Sequence, residues 1–591
     1  MTEYGIQVNA LHFRYADSST AVLNGIAMEV QPGETVLLLG PSGCGKSTFA
    51  LCLNGLIPDE IPGDFSGEIW IGPYMTGRTP AVRLRQQVGI VFQDPETQLV
   101  MPHVDEEVAF GLENLAIPEA TMRTRVEEAL SQVGLAEKVR ARVETLSGGQ
   151  KQRLALASVL AMQPAVLILD EPTANLDPAA TRSFYRTLQA LKHTTKATIL
   201  LIEHRVDAVL PLVDRVVVLG KEGRVIAAGT PREIYATDGT LPYHAGIWLP
   251  SPCHLARALK SVGWPLEGCP LTIEEMEHAI RTIQPSLLRS EVAPDTSTPP
   301  VSSGFDTAIS AEGVHFTYPD GTVALRDVHL RVPRGSFFAL VGANGSGKTT
   351  LAKILVGLLP AQKGNITILG QVLTPRHRFQ IARQVGYVFQ NPEHQFITER
   401  VRDELAYSLD SSLDTEEQRR RIDSLLERFG LRDYADFNPF SLSQGQKRRL
   451  SIATMVAMEQ PILILDEPTF GQDYQSAQEV MSVLHALQQE GTTIFCITHD
   501  MQLVADYAHE VAVMAQGRII FQGTPRALFR RPGVLSQAGL DLPPLAALSA
   551  RLGLNGLYTV EDWLRWAALH TRGRINVSPA NPQTTSGRTE A

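Results

Sequence analysis

Short apolar runs recur along the chain and are separated by longer segments with helical periodicity. Two sets of three runs follow in the same order, at residues 36–39, 166–169 and 199–202, and then at residues 338–341, 462–465 and 493–497. Apolar runs of this length that alternate with helical patterns are typical of buried strands in a mostly parallel sheet with helices on both faces. The pattern therefore predicts the same α/β fold twice in one chain.

The segments around these runs add two further parts to each half. Residues 7–39 and 308–341 are rich in β-strand patterns, which predicts a β-rich part at the start of each half. Residues from about 94 to 160 and from about 391 to 457 are mostly helical, which predicts a helical subdomain attached to the sheet. Because the repeating unit is about 300 residues long, the halves are duplicated domains rather than units of a solenoid.

A stretch rich in Pro, Ser and Thr, residues 293–304, lies between the halves and lacks apolar periodicity. Such a composition is typical of a solvated linker. The predicted parts are a first domain at 5–245, a small extension at 246–285, a flexible linker at 286–307, a second domain at 308–535, a second small extension at 536–575 and a disordered tail at 576–591.

Composition narrows the class of protein. The chain has 591 residues, too many for one hydrophobic core, and its net charge of −10 weighs against a protein that grips nucleic-acid backbones. No run of about 18 apolar residues occurs, so a role at a membrane would require a membrane-embedded partner. The odd number of cysteines and the lack of a C-x-x-C pair favour a reducing cytosol over a disulfide framework or a zinc site. The cysteines are Cys44, Cys52, Cys253, Cys269 and Cys496.

Each half carries one copy of the phosphate-binding pattern G-x-x-x-x-G-K-[ST] directly after its first apolar run. A nucleoside triphosphate needs backbone N–H donors, a helix N-terminus, a cation and Mg²⁺. We expect Lys46 and Lys348 to reach the β- and γ-phosphate oxygens, and the hydroxyls of Ser47 and Thr349 to ligate Mg²⁺. The predicted nucleotide-binding residues of the loops are Gly40, Pro41, Ser42, Gly43, Cys44, Gly45, Lys46, Ser47 and Thr48, and Gly342, Ala343, Asn344, Gly345, Ser346, Gly347, Lys348, Thr349 and Thr350.

An Asp-Glu pair ends the second apolar run of each half. Asp170 and Asp466 should emerge at the carboxyl edge of the sheet, where ligands bind, and hold Mg²⁺ through water. Glu171 and Glu467 follow directly and are candidates to polarise an attacking water as general bases. The alternative is an acidic pair that caps a helix. Because both halves keep the glutamate, neither site is predicted to be inactive.

In each half, a small hydroxyl and glycine residues precede a strong helical pattern. These residues are Ser147, Gly148, Gly149 and Gln150, and Ser443, Gln444, Gly445 and Gln446. A helix that begins this way offers free backbone N–H groups and the positive end of its dipole, which suit an anion such as a phosphate. On its own the pattern is equally compatible with an ordinary helix N-cap. Its interpretation therefore depends on the motifs around it.

Taken in order, these motifs resemble the nucleotide-binding subunits of ATP-binding cassette (ABC) transporters over residues of about 5–235 and 308–530. The resemblance implies two tandem P-loop ATP-binding cassette domains, each with a RecA-like and mostly parallel core sheet, an antiparallel β-subdomain and a helical subdomain. It also implies that the halves pair head to tail within the chain and bind ATP and Mg²⁺ between them. The site on Lys46 would then use Ser443, and the site on Lys348 would use Ser147.

Three pairs of residues match further functional positions of this family. Tyr15 and Tyr318 match the aromatic residue that stacks on adenine. Gln93 and Gln390 match the loop glutamine that touches Mg²⁺ and moves with the membrane partner. His204 and His499 match the histidine that acts as the γ-phosphate switch. For the tyrosines, packing within the β-subdomain is an open alternative. A lone histidine is more often inert, but both histidines lie one strand beyond the Asp-Glu pair.

Finer features resemble the ATPases of energy-coupling-factor (ECF) importers, which take up vitamins, vitamin precursors or metal ions. Residues 91–99 and 388–396 resemble the extended glutamine loop of that family, residues 105–114 resemble its next helix, and both halves end in a similar extra segment. The resemblance implies a peripheral ATPase on the cytoplasmic face of the membrane. Its partners would be a transmembrane scaffold subunit and a substrate-binding membrane subunit.

Two other classes remain as alternatives. The ATPase of a conventional ABC transporter differs from this pattern only in the glutamine loop and the C-terminal segments. A soluble tandem-cassette ATPase that acts on ribosomes or DNA would be expected to carry a long charged linker, cysteine clusters or basic arms, and the sequence has none of these. No nucleic acid is therefore expected as a partner, and the subunits that co-purify with the chain would separate the classes.

Two positions depart from the family pattern. Gln444 replaces the usual glycine, and a Cβ there would limit φ or crowd the γ-phosphate; alternatively its side chain points to solvent. We therefore hypothesise that the two sites turn over at different rates. Cys44 lies near a helix N-terminus, which would lower its pKa and make the ATPase thiol-sensitive; alternatively it is a small residue that fits the loop.

Overall fold

The computed structural model describes residues 4–236, 239–283, 306–374, 376–409 and 414–571. The predicted linker lies outside these ranges except for its last two residues, and the predicted tail at 576–591 lies entirely outside them. The strands of the first half are β1 (Ile6–Tyr15), β2 (Leu23–Val30), β3 (Thr35–Leu39), β4 (Gly63–Ile71), β5 (Tyr74–Met75), β6 (Val88–Val91), β7 (Val166–Asp170), β8 (Thr198–Ile202), β9 (Arg215–Leu219) and β10 (Val225–Gly229). Its helices are α1 (Lys46–Asn54), α2 (Leu56–Asp59), α3 (Ala81–Gln87), α4 (Val104–Asn114), α5 (Glu119–Gln132), α6 (Gly148–Ala161), α7 (Pro178–Thr194), α8 (Pro231–Tyr235), α9 (Thr240–His244), α10 (Ser251–Ser261) and α11 (Ile273–Ile283).

Within its described residues, the second half repeats this order of elements with two differences: one helix instead of two follows its third strand, and an additional helix lies between its eighth and ninth strands. Its strands are β11 (Thr307–Thr317), β12 (Val323–Pro333), β13 (Phe337–Val341), β14 (Lys363–Ile368), β15 (Gln371–Val372), β16 (Val385–Val388), β17 (Ile462–Asp466), β18 (Thr493–Thr498), β19 (Glu510–Ala515) and β20 (Arg518–Gly523). Its helices are α12 (Lys348–Leu355), α13 (Arg378–Ala382), α14 (Val401–Ser408), α15 (Thr415–Arg428), α16 (Gln444–Ala457), α17 (Tyr474–Gln489), α18 (Met501–Tyr507), α19 (Pro525–Phe529), α20 (Pro532–Gln537), α21 (Pro544–Arg551) and α22 (Val560–Thr571).

Each half contains a larger parallel sheet and a smaller antiparallel sheet. The larger sheets have the strand orders β10-β9-β3-β8-β7-β6 and β20-β19-β13-β18-β17-β16, and only the terminal hairpins are antiparallel. The smaller sheets have the orders β2-β1-β4-β5 and β12-β11-β14-β15. The predicted fold, a duplicated α/β domain with β-rich and helical parts, is therefore confirmed.

The core strands are apolar throughout because both faces of the sheet are covered. Every residue of β3, β7 and β8 is buried, as is every residue of β13, β17 and β18. Parallel pairing of β3 with β8, and of β8 with β7, brings the carboxyl ends of these strands to one edge. The loops that follow them, which carry the predicted chemistry, therefore meet at that edge.

The two C-terminal extensions pack against each other, which the sequence did not predict. Helices α10 and α11 of the first extension share one apolar core with α21 and α22 of the second, and Trp563 at its centre is fully buried. At the surface of this core, Arg551 pairs with Glu274 at 2.6 Å and with Glu277 at 2.7 Å. The two halves of the chain therefore contact each other through these four helices, which we call the extension core.

The sequence favoured cysteines without disulfides, and this prediction is wrong for one pair. A disulfide joins Cys253 in α10 to Cys269, whose Cα atoms lie 5.2 Å apart. The chain folds back on itself after α10, and the spacing in the sequence does not reveal this return. Cys44, Cys52 and Cys496 are free and buried. Among the described residues, no helix combines the length and the apolar character that crossing a bilayer requires.

Candidate functional site

Both phosphate-binding loops connect a buried strand to a helix, as predicted. α1 begins at Lys46 after Gly45 with φ of 98°, and α12 begins at Lys348 after Gly347 with φ of 108°. A Cβ on Gly45 would lie 2.7 Å from Leu23 Cδ2, so this position requires glycine for space as well as for φ. The glycines therefore set a sharp turn that aims the first N–H groups of each helix at the loop.

The lysines of the loops are buried inside them. Lys46 Nζ donates to the carbonyl oxygens of Gly40 at 2.9 Å and of Pro41 at 3.0 Å. Lys348 Nζ makes the same two contacts with Gly342 and Ala343, at 2.8 and 2.9 Å. Each ammonium thus lies within the curve of its loop, where a phosphate group would be bound.

The two predicted adenine-stacking tyrosines lie next to these loops. Tyr15 and Tyr318 are half-buried, and their hydroxyls lie 3.0 Å from the hydroxyls of Thr48 and Thr350, respectively. Each threonine is in the first turn of the helix that follows the loop. The contacts place both rings beside the loops, and adenine stacking stays a prediction.

The aspartates at the ends of β7 and β17 face the hydroxyls that follow the lysines. Asp466 Oδ2 accepts hydrogen bonds from Thr349 Oγ1 at 2.8 Å and from the Tyr387 hydroxyl at 3.2 Å. Burial raises the pKa of Asp170 to about 6, although a hydrogen bond from Ser47 acts in the opposite direction. Within the described ranges, the buried Asp170 Oδ1 has no hydrogen-bond partner. A buried carboxylate oxygen without a donor, beside a hydroxyl, fits the oxygen ligands that Mg²⁺ prefers.

The glutamates that follow are held by the predicted histidines. Glu171 Oε1 lies 2.9 Å from His204 Nε2, and Glu171 Oε2 accepts from Gln93 Nε2 at 2.8 Å. In the second half, Glu467 Oε1 lies 2.8 Å from His499 Nδ1. Each glutamate has a positive φ, 46° and 50°, which is costly for a residue with a side chain.

Charges within the site favour an ionised Glu171. Burial acts to raise the pKa of Glu171, but the nearby His204 and Lys46 outweigh it, so the pKa falls below its usual value. For His499, burial acts to lower the pKa, but Glu467 outweighs it and the pKa rises. The first site therefore favours an ionised Glu171, and the second favours a proton on His499.

The predicted anion-binding helix starts have the same geometry in both halves. Ser147 and Ser443 cap α6 and α16, and each forms a reciprocal capping box with Gln150 or Gln446. Gln444 is exposed and opens α16 with ordinary helical geometry, and a Cβ on Gly148 would meet nothing within 4 Å. The expectation that Gln444 restricts φ is therefore wrong, because this position never requires a left-handed backbone.

The loop of the first half contacts the second half. The backbone N–H of Ser42 donates to Asp473 Oδ2 at 2.7 Å, and a Cβ on Gly43 would lie 3.8 Å from the Cβ of Ser443. Asp473 is the N-cap of α17, which follows the Asp-Glu pair of the second half. The loop that carries Lys46 thus faces the helix start that the sequence paired with it.

The loop of the second half makes the reciprocal contact with an N-cap aspartate, but a Cβ on Gly345, the equivalent of Gly43, would meet nothing within 4 Å. The backbone N–H of Asn344 donates to Asp177 Oδ2 at 3.2 Å, and Asn344 Nδ2 donates to the carbonyl oxygen of Asn175 at 3.1 Å. Asp177 is the N-cap of α7. Asp177 and Asp473 are candidate functional residues that the sequence did not assign to a site. Both lie in loops whose sequences differ between the halves.

A cavity of about 490 Å³ lies between the halves, behind these contacts. Its lining includes both glutamates and both histidines of the candidate sites. Arg205 forms an ion pair with Asp500 across it and stacks over Trp248, 4.7 Å from the ring centroid. The Trp248 indole N–H donates to the carbonyl oxygen of Gln472 at 3.1 Å. The candidate catalytic residues of both halves therefore line one cavity.

One arginine distinguishes the second glutamine loop from the first. The Arg448 guanidinium donates to the carbonyl oxygens of Phe389 and Gln390, whereas the equivalent Gln152 makes one hydrogen bond, to Phe92, at 3.3 Å. Burial lowers the pKa of Arg448 to about 10, opposed by the carboxylates at the end of β17. The basic run 447–449 thus contains a buried cation.

The predicted thiol sensitivity of Cys44 is not supported. Burial raises the pKa of Cys44, and this outweighs the lowering effect of Lys46. A Cβ on Gly40 would lie 2.5 Å from the Cys44 sulfur, so the thiol fills space inside the loop. The alternative, a small residue that fits the loop, matches this arrangement.

Comparison with known proteins assigns the family. The family model described as ABC transporter matches residues 23–174 and 325–470. The chain therefore belongs to the ABC transporter family, and it is an ATP-binding subunit that couples ATP hydrolysis to transport.

Several relatives are similar over nearly the whole chain. One, from Bacillus subtilis (strain 168), has the provisional name HMP/thiamine import ATP-binding protein YkoD; it is 38% identical over 91% of this chain and 95% of its own length. An ABC transporter ATP-binding protein of Methanosarcina acetivorans, also named provisionally, is 38% identical over 94% of this chain and 92% of its own length. The solved structure of cbiO1 from Clostridium perfringens, part of the ABC transporter complex cbiONQ, is 34% identical over 42% of this chain and 99% of its own, with a TM-score of 0.37.

Proposed function

We propose that the chain forms two composite ATP sites, each built from the phosphate-binding loop of one half and the helix start of the other. The observation that carries the proposal is the reciprocal pair of contacts between halves, from Ser42 to Asp473 and from Asn344 to Asp177. A phosphate held by one loop would then lie between two helix N-termini, which suits its negative charge.

Within such a site, the residues divide the chemistry among them. Lys46 lies in the curve of the loop and would pair with the β- and γ-phosphate oxygens. Ser47 and Asp170 would hold Mg²⁺, which supplies positive charge to the triphosphate when bound. Glu171 would accept a proton from the attacking water, because it is ionised and two side chains fix its orientation. The second half offers the same set with Lys348, Thr349, Asp466, Glu467 and His499.

We propose further that the transporter is an importer of the ECF type. Support comes from the extended glutamine loops and from the paired C-terminal extensions, which resemble those of ECF ATPases. The partners would be a transmembrane scaffold subunit and a substrate-binding membrane subunit, with this chain bound at the cytoplasmic face. The similarity to YkoD makes a thiamine precursor the cargo that we propose.

Affinity purification of the tagged chain from detergent-solubilised membranes of its own host tests this proposal. The ECF assignment predicts two kinds of integral membrane protein in the complex, one of which binds a small molecule without the ATPase. Recovery of a single type of membrane-spanning subunit would favour a conventional ABC transporter. Recovery of ribosomes or DNA would overturn the proposal that the chain drives transport through these membrane partners. Binding of a radiolabelled thiamine precursor by the purified complex tests the cargo separately.

A further inference from the structure

The residue before the switch histidine differs between the halves. In the first half it is Glu203, which is 4% exposed, and in the second half it is Thr498. A carboxyl group is rarely buried so fully without partners that justify it. The partners of Glu203 therefore indicate its role.

Three donors converge on one oxygen of Glu203. Its Oε1 accepts from the Thr173 hydroxyl at 2.7 Å, from the Tyr185 hydroxyl at 3.0 Å and from the Thr173 backbone N–H at 3.3 Å. Tyr185 lies on α7, and Thr173 lies in the loop that connects β7 to α7. Glu203 thus fastens this loop both to the helix that follows it and to the end of β8.

Among the described residues of the second half, this arrangement has no counterpart. The residues at the positions of Thr173 and Tyr185 are Thr469 and Met481, and Met481 cannot donate a hydrogen bond. The Thr498 hydroxyl accepts from the backbone N–H of Asp500 at 3.0 Å, within its own turn. The network on Glu203 is therefore a property of the first half.

The loop that Glu203 fastens reaches both candidate ATP sites. Glu171 opens it and lies in the site of Lys46, whereas Asn175 and Asp177 close it and accept hydrogen bonds from Asn344 in the loop of Lys348. Between these ends the loop is tightly turned, because the N–H of Leu176 donates to the carbonyl oxygen of Thr173 at 3.1 Å. A shift of Thr173 would therefore move the contacts with Asn344.

We propose that Glu203 is a positioning residue that couples the two ATP sites through the loop at 171–177. It touches neither phosphate loop, but it fixes the middle of a segment whose two ends serve different sites. This inference rests on the composite sites proposed above. It also predicts that the loop at 171–177 carries more of the coupling than the equivalent loop at 467–473, since the described contacts of Thr498 form no equivalent network.

A double-mutant cycle between Glu203 and Asn344 tests the coupling. We expect Glu203→Ala and Asn344→Ala each to lower kcat/KM for ATP by about tenfold, and the double variant to lose little more than either single variant. Glu203→Gln, which keeps an acceptor oxygen for Thr173 and Tyr185, should restore kcat/KM to within about twofold of the wild type. The matched control is the Thr498→Ala and Asn344→Ala pair, whose effects should multiply.

Several results would overturn the proposal. If the losses of Glu203→Ala and Asn344→Ala multiply, Glu203 does not act through this loop, although the composite sites would stand. If Asn344→Ala alone behaves as wild type, the side-chain contact with Asn175 is not functional and the coupling proposal fails. The composite site would stand, because alanine keeps the backbone N–H that donates to Asp177. If Glu203→Ala does not fold, Tyr185→Phe replaces it, and multiplicative losses with Asn344→Ala would then count against the coupling.

Discussion

The backbone N–H of Ser42 donates to a carboxylate oxygen of Asp473, 2.7 Å away, although 431 residues separate them in sequence. The other oxygen of Asp473 accepts from the backbone N–H of Ser476 at 2.8 Å and caps α17. Burial acts to raise the pKa of Asp473, but hydrogen bonds from Ser476 and Ser42 outweigh it and the pKa falls. One carboxylate therefore fixes both a helix start of the second half and the phosphate-binding loop of the first.

Because Asp473 caps α17 and also binds Ser42, substitutions at this position should separate a loss of stability from a loss of ATPase activity. Asp473→Ala removes the helix cap, at a cost of about 1 kcal/mol, and also the contact with Ser42, so both stability and ATPase activity should fall. Asp473→Asn keeps a capping oxygen and should lose activity with little change in stability. Thermal unfolding and steady-state hydrolysis measure the two effects. Full activity in Asp473→Ala would show that the contact between the halves is dispensable.

The two general-base candidates should not be equivalent. Glu171 is oriented by Gln93 and His204, and Glu467 lies in a half with a different glutamine loop. We expect Glu171→Gln to remove a larger share of steady-state ATP hydrolysis than Glu467→Gln, because the better-oriented base contributes more turnover. Equal losses in the purified complex would mean that the halves hydrolyse ATP alike.

Much of the fold followed from local features of the sequence. Apolar runs of strand length, and glycines placed directly after them, depend on short stretches of chain, so the duplicated sheet and both phosphate loops were predictable. The Asp-Glu pairs and the histidines were found because they recur at nearly constant spacing in both halves. The second copy of each motif thus argued against a chance match.

Features that depend on distant contacts were not predictable. The disulfide between Cys253 and Cys269 requires the return of the chain after α10, which no local pattern indicates. The extension core requires the helices at 251–283, in the middle of the chain, to meet the helices at 544–571. Glu203 directly follows the apolar run at 199–202, and its importance depends on Tyr185 in a neighbouring helix.

Burial of Glu203 predicts how stability changes with pH. Burial raises its pKa from 4.5 to about 7, so the folded protein holds a proton that the unfolded chain releases above about pH 4.5. Stability should therefore fall as pH rises from about 5 to 7 and then level off, by an amount on the order of 3 kcal/mol. Glu203→Gln should lack this loss. Its advantage in melting temperature over the wild type should widen between pH 5 and 7.5, and a constant difference would contradict the assignment.

The extension core should contribute strongly to stability. Trp563 is fully buried among side chains from both extensions, and its replacement by alanine should cost about 3–5 kcal/mol. Leu569, on the same helix and 70% exposed, provides the matched control, and Leu569→Ala should change stability by less than about 0.5 kcal/mol. Calorimetric unfolding of both variants distinguishes them. Similar melting curves would mean that the extensions do not hold each other.

The central claim is that each ATP site combines the two halves. The most direct test compares two substitutions in the same composite site with two substitutions in different composite sites. Lys46→Ala with Ser443→Arg should disable one composite site and leave the other, so the chain should retain one tightly bound ATP in the presence of Mg²⁺. Lys46→Ala with Ser147→Arg should disable both sites and retain none. Radiolabelled nucleotide that remains bound per chain after gel filtration gives the count. Retention of one ATP by the second variant and of none by the first would contradict the account, because each loop would then work with the helix start of its own half.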